Sequence, residues 1–524
     1  MFIVVGSGPA GVAVTIALLS RGHKVTMLDN GQKIDKRFEL VKSAIASCQS
    51  NMKKKELVEV LKEPGRKAFT SNEDQKKLAY GSRFPYCNDY TQNNSCITQS
   101  HAYGGLSNVW GAAILPYRDS EYEGWPKSVT QEMSHHYKQV MKIIPLTIRE
   151  NISGLSFPLY SNEYQLINLG NQAKKLFEHI STNNNKEKLE KIGINIGGAR
   201  LAVGNIFSNQ GCLSCGLCMY GCPYDLIFNS AEIVNRLKNN NNFNYLDHHH
   251  VLMCKEDANG VKITVNVDGF NSEIFAAKIF IACGVVGTAK IVLESMELYN
   301  KPFRIKDSQY FSFPFITNFN IMDLQDVNVN TLSELFLHIY GQNNFRVDAH
   351  MQMYGYNDLY YEIFKHKFGV VAASLLNPLI TKLFKRMMAV QGYLHSENSS
   401  EMILTLNKLN NNHSKINVEG VVNKNTQMFI MEILTRLKKN KKLIGGYPIA
   451  KMLNIGLPGE GNHSGGIFPM ASSPAEFETD ILGRLKNWKR IHIVDSSVFP
   501  TIAPTTITLT VMANAHRIGI NHDN

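Results

Sequence analysis

The sequence predicts an α/β protein of two lobes: a parallel-sheet lobe of Rossmann type and a second lobe of mixed α+β structure. Three observations carry that expectation. A strand–glycine turn–helix–strand unit opens the chain at residues 2–29, a second strand runs into a glycine turn at 274–287, and the texture changes over 301–455. That middle stretch is richer in aromatics, Met and long polar runs, and it lacks a glycine motif until about residue 445. The 524 residues, 44% hydrophobic and 19% charged, are enough to bury more than one core.

Phe2-Ile3-Val4-Val5 reads as a short buried strand, followed by Gly6-Ser7-Gly8-Pro9-Ala10-Gly11 and an apolar helix to about Ser20. Arg21-Gly22-His23 turns the chain into a second strand, Lys24 to Leu28, which ends at Asp29. The length is that of a dinucleotide-binding βαβ unit. Gly6 permits the tight turn, Gly8 lets a pyrophosphate approach the backbone at the helix N-terminus, and Gly11 allows close helix–strand packing. Asp29, 18 positions after Gly11, is placed to accept hydrogen bonds from ribose hydroxyls. The unit alone does not separate FAD from NAD.

Residues 40–80 are rich in Lys and Glu and read as a solvated helix with loops. Asn-rich tracts at 183–185 and 239–242 read as exposed loops. Strands are expected at 260–267, 274–283 and Ile491–Val494, with a terminal helix from about Ile507. There is no internal repeat. The formal charge is +11, but lysines such as Lys53–Lys55 and Lys438–Lys442 are scattered without aromatic interleaving. A solvated surface is expected, and no nucleic-acid partner.

Residues 1–20 lack a basic leader region and a cleavage signal, and their glycines already serve the turn, so they are read as part of the fold. No run reaches the ~18 apolar residues of a membrane span. The expected location is the cytoplasm, with peripheral attachment to the inner face of the membrane left open. The nearest candidate for such contact is Phe368 to Ile380, broken by Asn377 and Pro378 and followed by Lys382, Lys385 and Arg386. It is expected to be a helix buried in the second lobe, with docking on an anionic bilayer as the alternative. His248-His249-His250 would alternate faces on a strand, which argues against a shared metal.

Further motifs recur in order along the chain. These are Leu28-Asp29-Asn30-Gly31, Gly104-Gly105-Leu106-Ser107-Asn108-Val109-Trp110-Gly111, Gly124-Trp125-Pro126-Lys127-Ser128 with Tyr137, Ala282-Cys283-Gly284-Val285-Val286-Gly287, His463-Ser464-Gly465-Gly466-Ile467-Phe468-Pro469-Met470, and Ile493-Val494-Asp495-Ser496-Ser497-Val498-Phe499-Pro500. Together they resemble the glucose–methanol–choline family of FAD-dependent oxidoreductases, in its dehydrogenase-like branch with a Cys-rich loop. The resemblance covers both ends of the chain and is vague over 301–455. It implies FAD held by Gly6, Gly8, Gly11, Asp29, Gly104, Gly105, Asn108, Trp110, Gly284, Gly287 and Asp495. It also implies that His463 takes a hydroxyl proton while hydride leaves carbon for the flavin; a near-neutral imidazole pKa suits the task. Where the family usually has a second His or Asn, this chain has Thr506. Its hydroxyl can orient a substrate oxygen but is no proton acceptor, so the reaction would rest on His463 alone.

Cys212, Cys215, Cys218 and Cys222, the last followed by Pro223, form the run C-x₂-C-x₂-C-x₃-C-P of bacterial ferredoxins. An iron–sulfur cluster is expected, with a structural thiol or disulfide loop and a zinc site as alternatives. A cluster would favour a dehydrogenase passing single electrons to a protein or quinone over an oxidase using oxygen.

The expected division is an FAD lobe over 1–300, which includes the Cys-rich loop 205–230 and some substrate-lobe segments within 120–200. A substrate lobe over 301–455 follows, and 456–524 completes the FAD lobe and active site. The expected activity is oxidation of the CH–OH group of a small or amphiphilic alcohol: a sugar or polyol, a sugar–lipid or a long-chain alcohol. An oxygen-using oxidase and a catalytically silent electron relay are the rival readings.

Overall fold

The computed structural model describes the chain except residues 71–83, 88, 150–156, 183, 322–329, 342–346, 410–413 and 524. The end of the Lys/Glu-rich stretch 40–80 and Asn183 of the first Asn-rich tract therefore lie outside the described residues.

Five short apolar strands form a parallel sheet. Its order is Ile491–Ile493, Lys278–Ile281, Phe2–Val5, Val25–Leu28, Phe243–Leu246. Strands covered on both faces need no polar alternation, and Val25–Leu28 is buried at every position. The helix Pro9–Ser20 has no polar face because it lies between this sheet and the terminal helix Thr508–Asn521, against which it packs. The two chain ends thus build one layer. The fold class is the expected α/β with a parallel sheet.

The second large sheet is mostly antiparallel. Its strands run in the order Gly446–Pro448, Tyr310–Thr317, Met387–Leu394, Ala349–Tyr354, Leu335–Ile339, Ile194–Gly198, and Asn454–Ile455 also pairs with Tyr310–Thr317. Side chains alternate between its faces with period two. Phe311, Phe313, Met351, Met353 and Val390 face a core closed by the helices Asn171–Ser181 and Thr426–Lys439. Tyr310, Ser312, Gln352, Tyr354, Gln391 and Tyr393 face the opposite way, into a cavity of about 1460 Å³.

A third sheet ties the lobes together. Pro302–Asp307 pairs with Glu401–Lys408 on one side and with Ser464–Gly465 on the other. Asp307, buried completely, accepts from Ser464 Oγ at 2.8 Å and from Gly459 N at 2.8 Å, and Ser308 N donates to His463 O at 3.0 Å. These bonds fix the backbone around His463.

One expectation is overturned. The stretch Phe368–Ile380 is not a helix buried in the second lobe. It breaks into the helices Val370–Leu375 and Asn377–Phe384, with Pro378 in the first turn of the latter, where a missing N–H costs nothing. Val370, Val371, Leu375, Leu376 and Leu379 are exposed, and Ala373 and Ile380 are buried. Among the described residues no helix is long and apolar enough to cross a membrane.

Candidate active site

The turn after the first strand is shaped by backbone sterics. Gly6 has φ +99°, and a Cβ there would lie 2.5 Å from Ala282 O. A Cβ on Gly11 would fall 1.9 Å from Gly6 O, so the helix can start only with glycine there. Gly8 differs: nothing lies within 4 Å of its would-be Cβ, although its backbone opens the helix N-terminus. Two of these glycines close the turn, while Gly8 faces open space suited to a phosphate. That space belongs to a cavity of about 250 Å³, also lined by Asp29, His250, Gly284 and Asp495.

Asp29 sits at the end of its strand and is buried. Its Oδ2 accepts from Ser7 Oγ and, at 3.1 Å, from Tyr245 OH. Burial lifts its carboxyl pKa to about 6, against the pull of those two donors. Ser7 Oγ also accepts from Gly104 N at 2.8 Å. One hydroxyl therefore links the first turn, the acidic residue and the Gly-Gly loop. Neither Ser7 nor Tyr245 stands out in the sequence; Ser7 is a variable position inside the glycine motif, and Tyr245 arrives from a strand more than 200 residues away.

Gly105 lies over Gly8, where its Cβ would be 3.3 Å from Gly8 Cα, while a Cβ on Gly104 would meet Asn229 and Ala231. Asn108 Nδ2 donates to Tyr103 O at 3.0 Å and Gly105 O at 2.7 Å, and its Oδ1 accepts from Asn229 Nδ2 at 2.5 Å. Trp110 Nε1 donates to Phe228 O at 2.9 Å. Asn108 and Trp110 both line the large cavity. On the far side Asp495 Oδ2 accepts from Gly284 N at 2.9 Å and Thr288 Oγ1 at 2.5 Å, while Oδ1 accepts from Ser497 N at 2.9 Å. Asp495 thus clamps the second glycine turn to the C-terminal segment. Gly287 leaves room for Gln99, whose Nε2 would lie 2.6 Å from an added Cβ.

His463 and Thr506 line the same large cavity, and Pro9, Leu106, Asn462 and Thr508 line both cavities, so the two adjoin. The His463 ring stacks on Tyr393, 4.5 Å between centroids and 29° between planes. Its Nδ1 is buried without a hydrogen-bond partner, which leaves Nε2 as the nitrogen toward the cavity. Burial pushes its pKa down to about 4, so the ring is neutral near pH 7. Thr506 Oγ1 accepts from Leu115 N at 3.0 Å, which leaves its proton free to be donated.

Sequence reading missed the residues behind His463. Strand register places His338 opposite His350, and His350 opposite Tyr393, the ring that stacks on His463. His350 is wholly buried with both ring nitrogens unpartnered, and His338 meets Arg118 Nη2 at 2.6 Å. Burial lowers the pKa of His350 to about 3, and the His463 and Arg118 charges add to that effect. No motif marks these residues; only cross-strand pairing brings them together.

The four clustered cysteines are free thiols. Cys215 is exposed, Cys212 Sγ accepts from Asn330 Nδ2 at 3.2 Å, and Cys218 and Cys222 line the large cavity. Burial raises the Cys218 pKa to about 12, with Cys212 and Cys222 adding to the rise. Among the described residues the groups of three metal-ligand atoms within 4.8 Å are His23/His522/Asp523 and Cys87/Asp89/His101; the clustered cysteines are not one. Tetrahedral zinc, with its ~2.3 Å bonds, holds its sulfurs about 3.8 Å apart, closer together than any three of these four lie in this structure. In both of the tighter groups a lysine already neutralises the carboxylate, Lys278 on Asp523 and Lys290 on Asp89. His248, His249 and His250 form no such group.

No family model and no curated protein sequence matches the chain. Among solved structures it is similar to the crystal structure of pyridoxine 4-oxidase from Mesorbium loti, at a TM-score of 0.59 and 11% identity. The likeness spans 99% of this chain and 98% of that one. At such low identity it is a likeness of fold, and it places this chain, from end to end, in the architecture of that oxidase.

Proposed function

We propose that this protein is an FAD-dependent oxidoreductase acting on the CH–OH group of an alcohol, with His463 as the proton acceptor. One observation carries the reading: a neutral imidazole and a hydroxyl donor line a cavity that adjoins a glycine-walled cleft ending on a buried acid. Gly8, Gly105 and Gly284 line the cleft and would let FAD approach the backbone closely, and Asp29 would hold it through its carboxylate. Bound FAD would supply the two-electron acceptor for the hydrogen leaving the carbinol carbon. His463 Nε2 receives the hydroxyl proton, Tyr393 holds the ring by stacking, and Thr506 donates to the substrate oxygen. The fold neighbour is an oxidase, which supports redox chemistry on this scaffold.

His463→Ala should keep the flavin and slow its reduction by substrate about 10²–10⁴-fold, the usual share of a general base. Thr506→Val, which removes one hydrogen bond, should cost far less. Equal loss in the two variants, or a larger loss in Thr506→Val, would refute these roles.

We read the cysteine loop as ligands of an iron–sulfur cluster that leads electrons to a protein or quinone acceptor. Supporting this, Cys218 and Cys222 open onto the cavity that holds His463, and the thiols lie near enough to raise one another's pKa. Anaerobically purified protein should contain about three or four irons, lost in Cys215→Ser while FAD remains. Iron absent after anaerobic reconstitution would refute it, and oxygen, as the neighbour's name suggests, would become the acceptor.

A further inference from the structure

The strands Ala349–Tyr354 and Met387–Leu394 are antiparallel neighbours, Tyr354 facing Ala389. Such a pair normally needs a loop of about 2–5 residues. Here residues 355–386 intervene, folded into three short helices, Asp358–Phe368, Val370–Leu375 and Asn377–Phe384. Gln172 secures both ends of this insertion. Its Oε1 accepts from Tyr356 N at 2.8 Å, and its Nε2 donates to Phe384 O at 2.6 Å and Met387 O at 3.0 Å.

The inner face is settled. Ala373, Ile380 and Phe384 are buried, and the Phe384 ring meets Tyr356 and Tyr360 at 5.3 and 6.4 Å. The outer face is not. Val370, Val371, Leu375, Leu376, Leu379 and Leu383 are 42–78% exposed within fourteen residues. Soluble surfaces scatter such side chains singly; a contiguous apolar patch marks an interaction face. Its charge is one-signed: from Gly369 to Arg386 the only charged residues are Lys382, Lys385 and Arg386, and no acidic residue stands between Glu362 and Glu397. Short helices with apolar side chains outward and cations at one end suit an anionic bilayer interface, not a span.

Position adds a second argument. Asn357 and Tyr360, at the root of the insertion, line the large cavity that holds His463. We propose that the insertion 358–384 docks the protein on an anionic lipid bilayer, and that the cavity takes an amphiphilic alcohol from that bilayer. The docking stands on the exposed face alone; the choice of alcohol rests on the oxidoreductase reading above.

The test is flotation of the holoprotein with vesicles of phosphatidylglycerol and phosphatidylcholine, or phosphatidylcholine alone. Wild type should float with the anionic vesicles, less so with the neutral ones or at high salt. The triple variant Val371→Ser/Leu375→Ser/Leu379→Ser should bind on the order of 10²-fold more weakly, because it withdraws three inserted side chains. All three are exposed, so its melting temperature and flavin content should not change. Wild type that stays behind, or a variant that floats equally well, overturns the docking. So does a dimer that the triple variant splits while neither protein binds vesicles, which would assign the face to a second copy. In a second arm, a long-chain alcohol in anionic vesicles should reduce wild-type flavin at least tenfold faster than variant flavin. Equal rates in the two proteins would overturn the delivery from the bilayer. Flotation without flavin reduction by any alcohol would leave the docking standing and refute the oxidoreductase reading alone.

Discussion

At the scale of single residues, Asp29 carries the most direct consequence for the cofactor. Its carboxylate is the acceptor proposed for the ribose, and losing charge-assisted bonds costs roughly 1.5–3 kcal/mol. Asp29→Ala should therefore weaken FAD binding about 10- to 150-fold, read by fluorescence titration of the apoprotein. Burial raises this acid from its ordinary value of 3.8 to about 6. The folded apoprotein thus holds the proton more tightly than the unfolded chain, and Asp29 costs stability as pH rises from about 4 through 6. Ribose hydroxyls need an acceptor, so the ionised form is the one that binds. FAD affinity should rise as pH increases from 5 to 7, and Asp29→Asn should flatten that profile. His463 has the opposite displacement: held to about 4, it stays neutral through this range and should leave flavin reduction unaffected by pH down to about 5. Asp29, His463 and the glycines were legible because short motifs fix them. Tyr245, His350 and Tyr393 were not, because their places come from strands paired across the sheets, and Ser7 was not, because its role comes from bonds to Asp29 and to the distant Gly104.

At the scale of elements, the glycine turns separate two kinds of constraint that look alike in sequence. An alanine at Gly11 would press its Cβ into Gly6 O, whereas an alanine at Gly8 meets nothing. Gly11→Ala should destabilise the apoprotein by about 1–3 kcal/mol or more, the range for overpacking. Gly8→Ala should leave apoprotein melting unchanged yet impair FAD binding, because it fills the space a phosphate would take. A matched thermal melt and FAD titration of the two variants distinguishes them; equal effects on both would contradict the geometry. Four of the five strands of the parallel sheet were readable as apolar runs leading to glycine or acid, whereas Phe243–Leu246, which carries Tyr245, was not. The stretch Phe368–Ile380 was misread for a physical reason. An apolar run of about a dozen residues looks the same whether it packs into a core or lies exposed, and periodicity does not decide between them.

At the scale of the whole molecule, the two chain ends meet. The helix Pro9–Ser20 is apolar on all sides because Thr508–Asn521 covers it, and Ile491–Ile493 extends the sheet begun by Phe2–Val5. A chain stopped at Ile507 would expose that apolar helix and should show no cooperative melt. The site is likewise assembled from distant segments: the cleft from both ends and the cavity wall from the antiparallel sheet, with His463 just before the strand Ser464–Gly465 that pairs with Pro302–Asp307. The order of the motifs made this meeting legible, but not which face of the second sheet looks into the cavity. The proposed oxidation of an alcohol at FAD, with His463 as base, is tested most directly by the visible spectrum of FAD-loaded protein without oxygen, recorded before and after a panel of alcohols. The protein should be yellow, and its flavin should bleach with at least one alcohol, about 10²–10⁴-fold more slowly in His463→Ala. A protein that stays colourless with added FAD, or a bound flavin that no alcohol bleaches, would contradict that proposal.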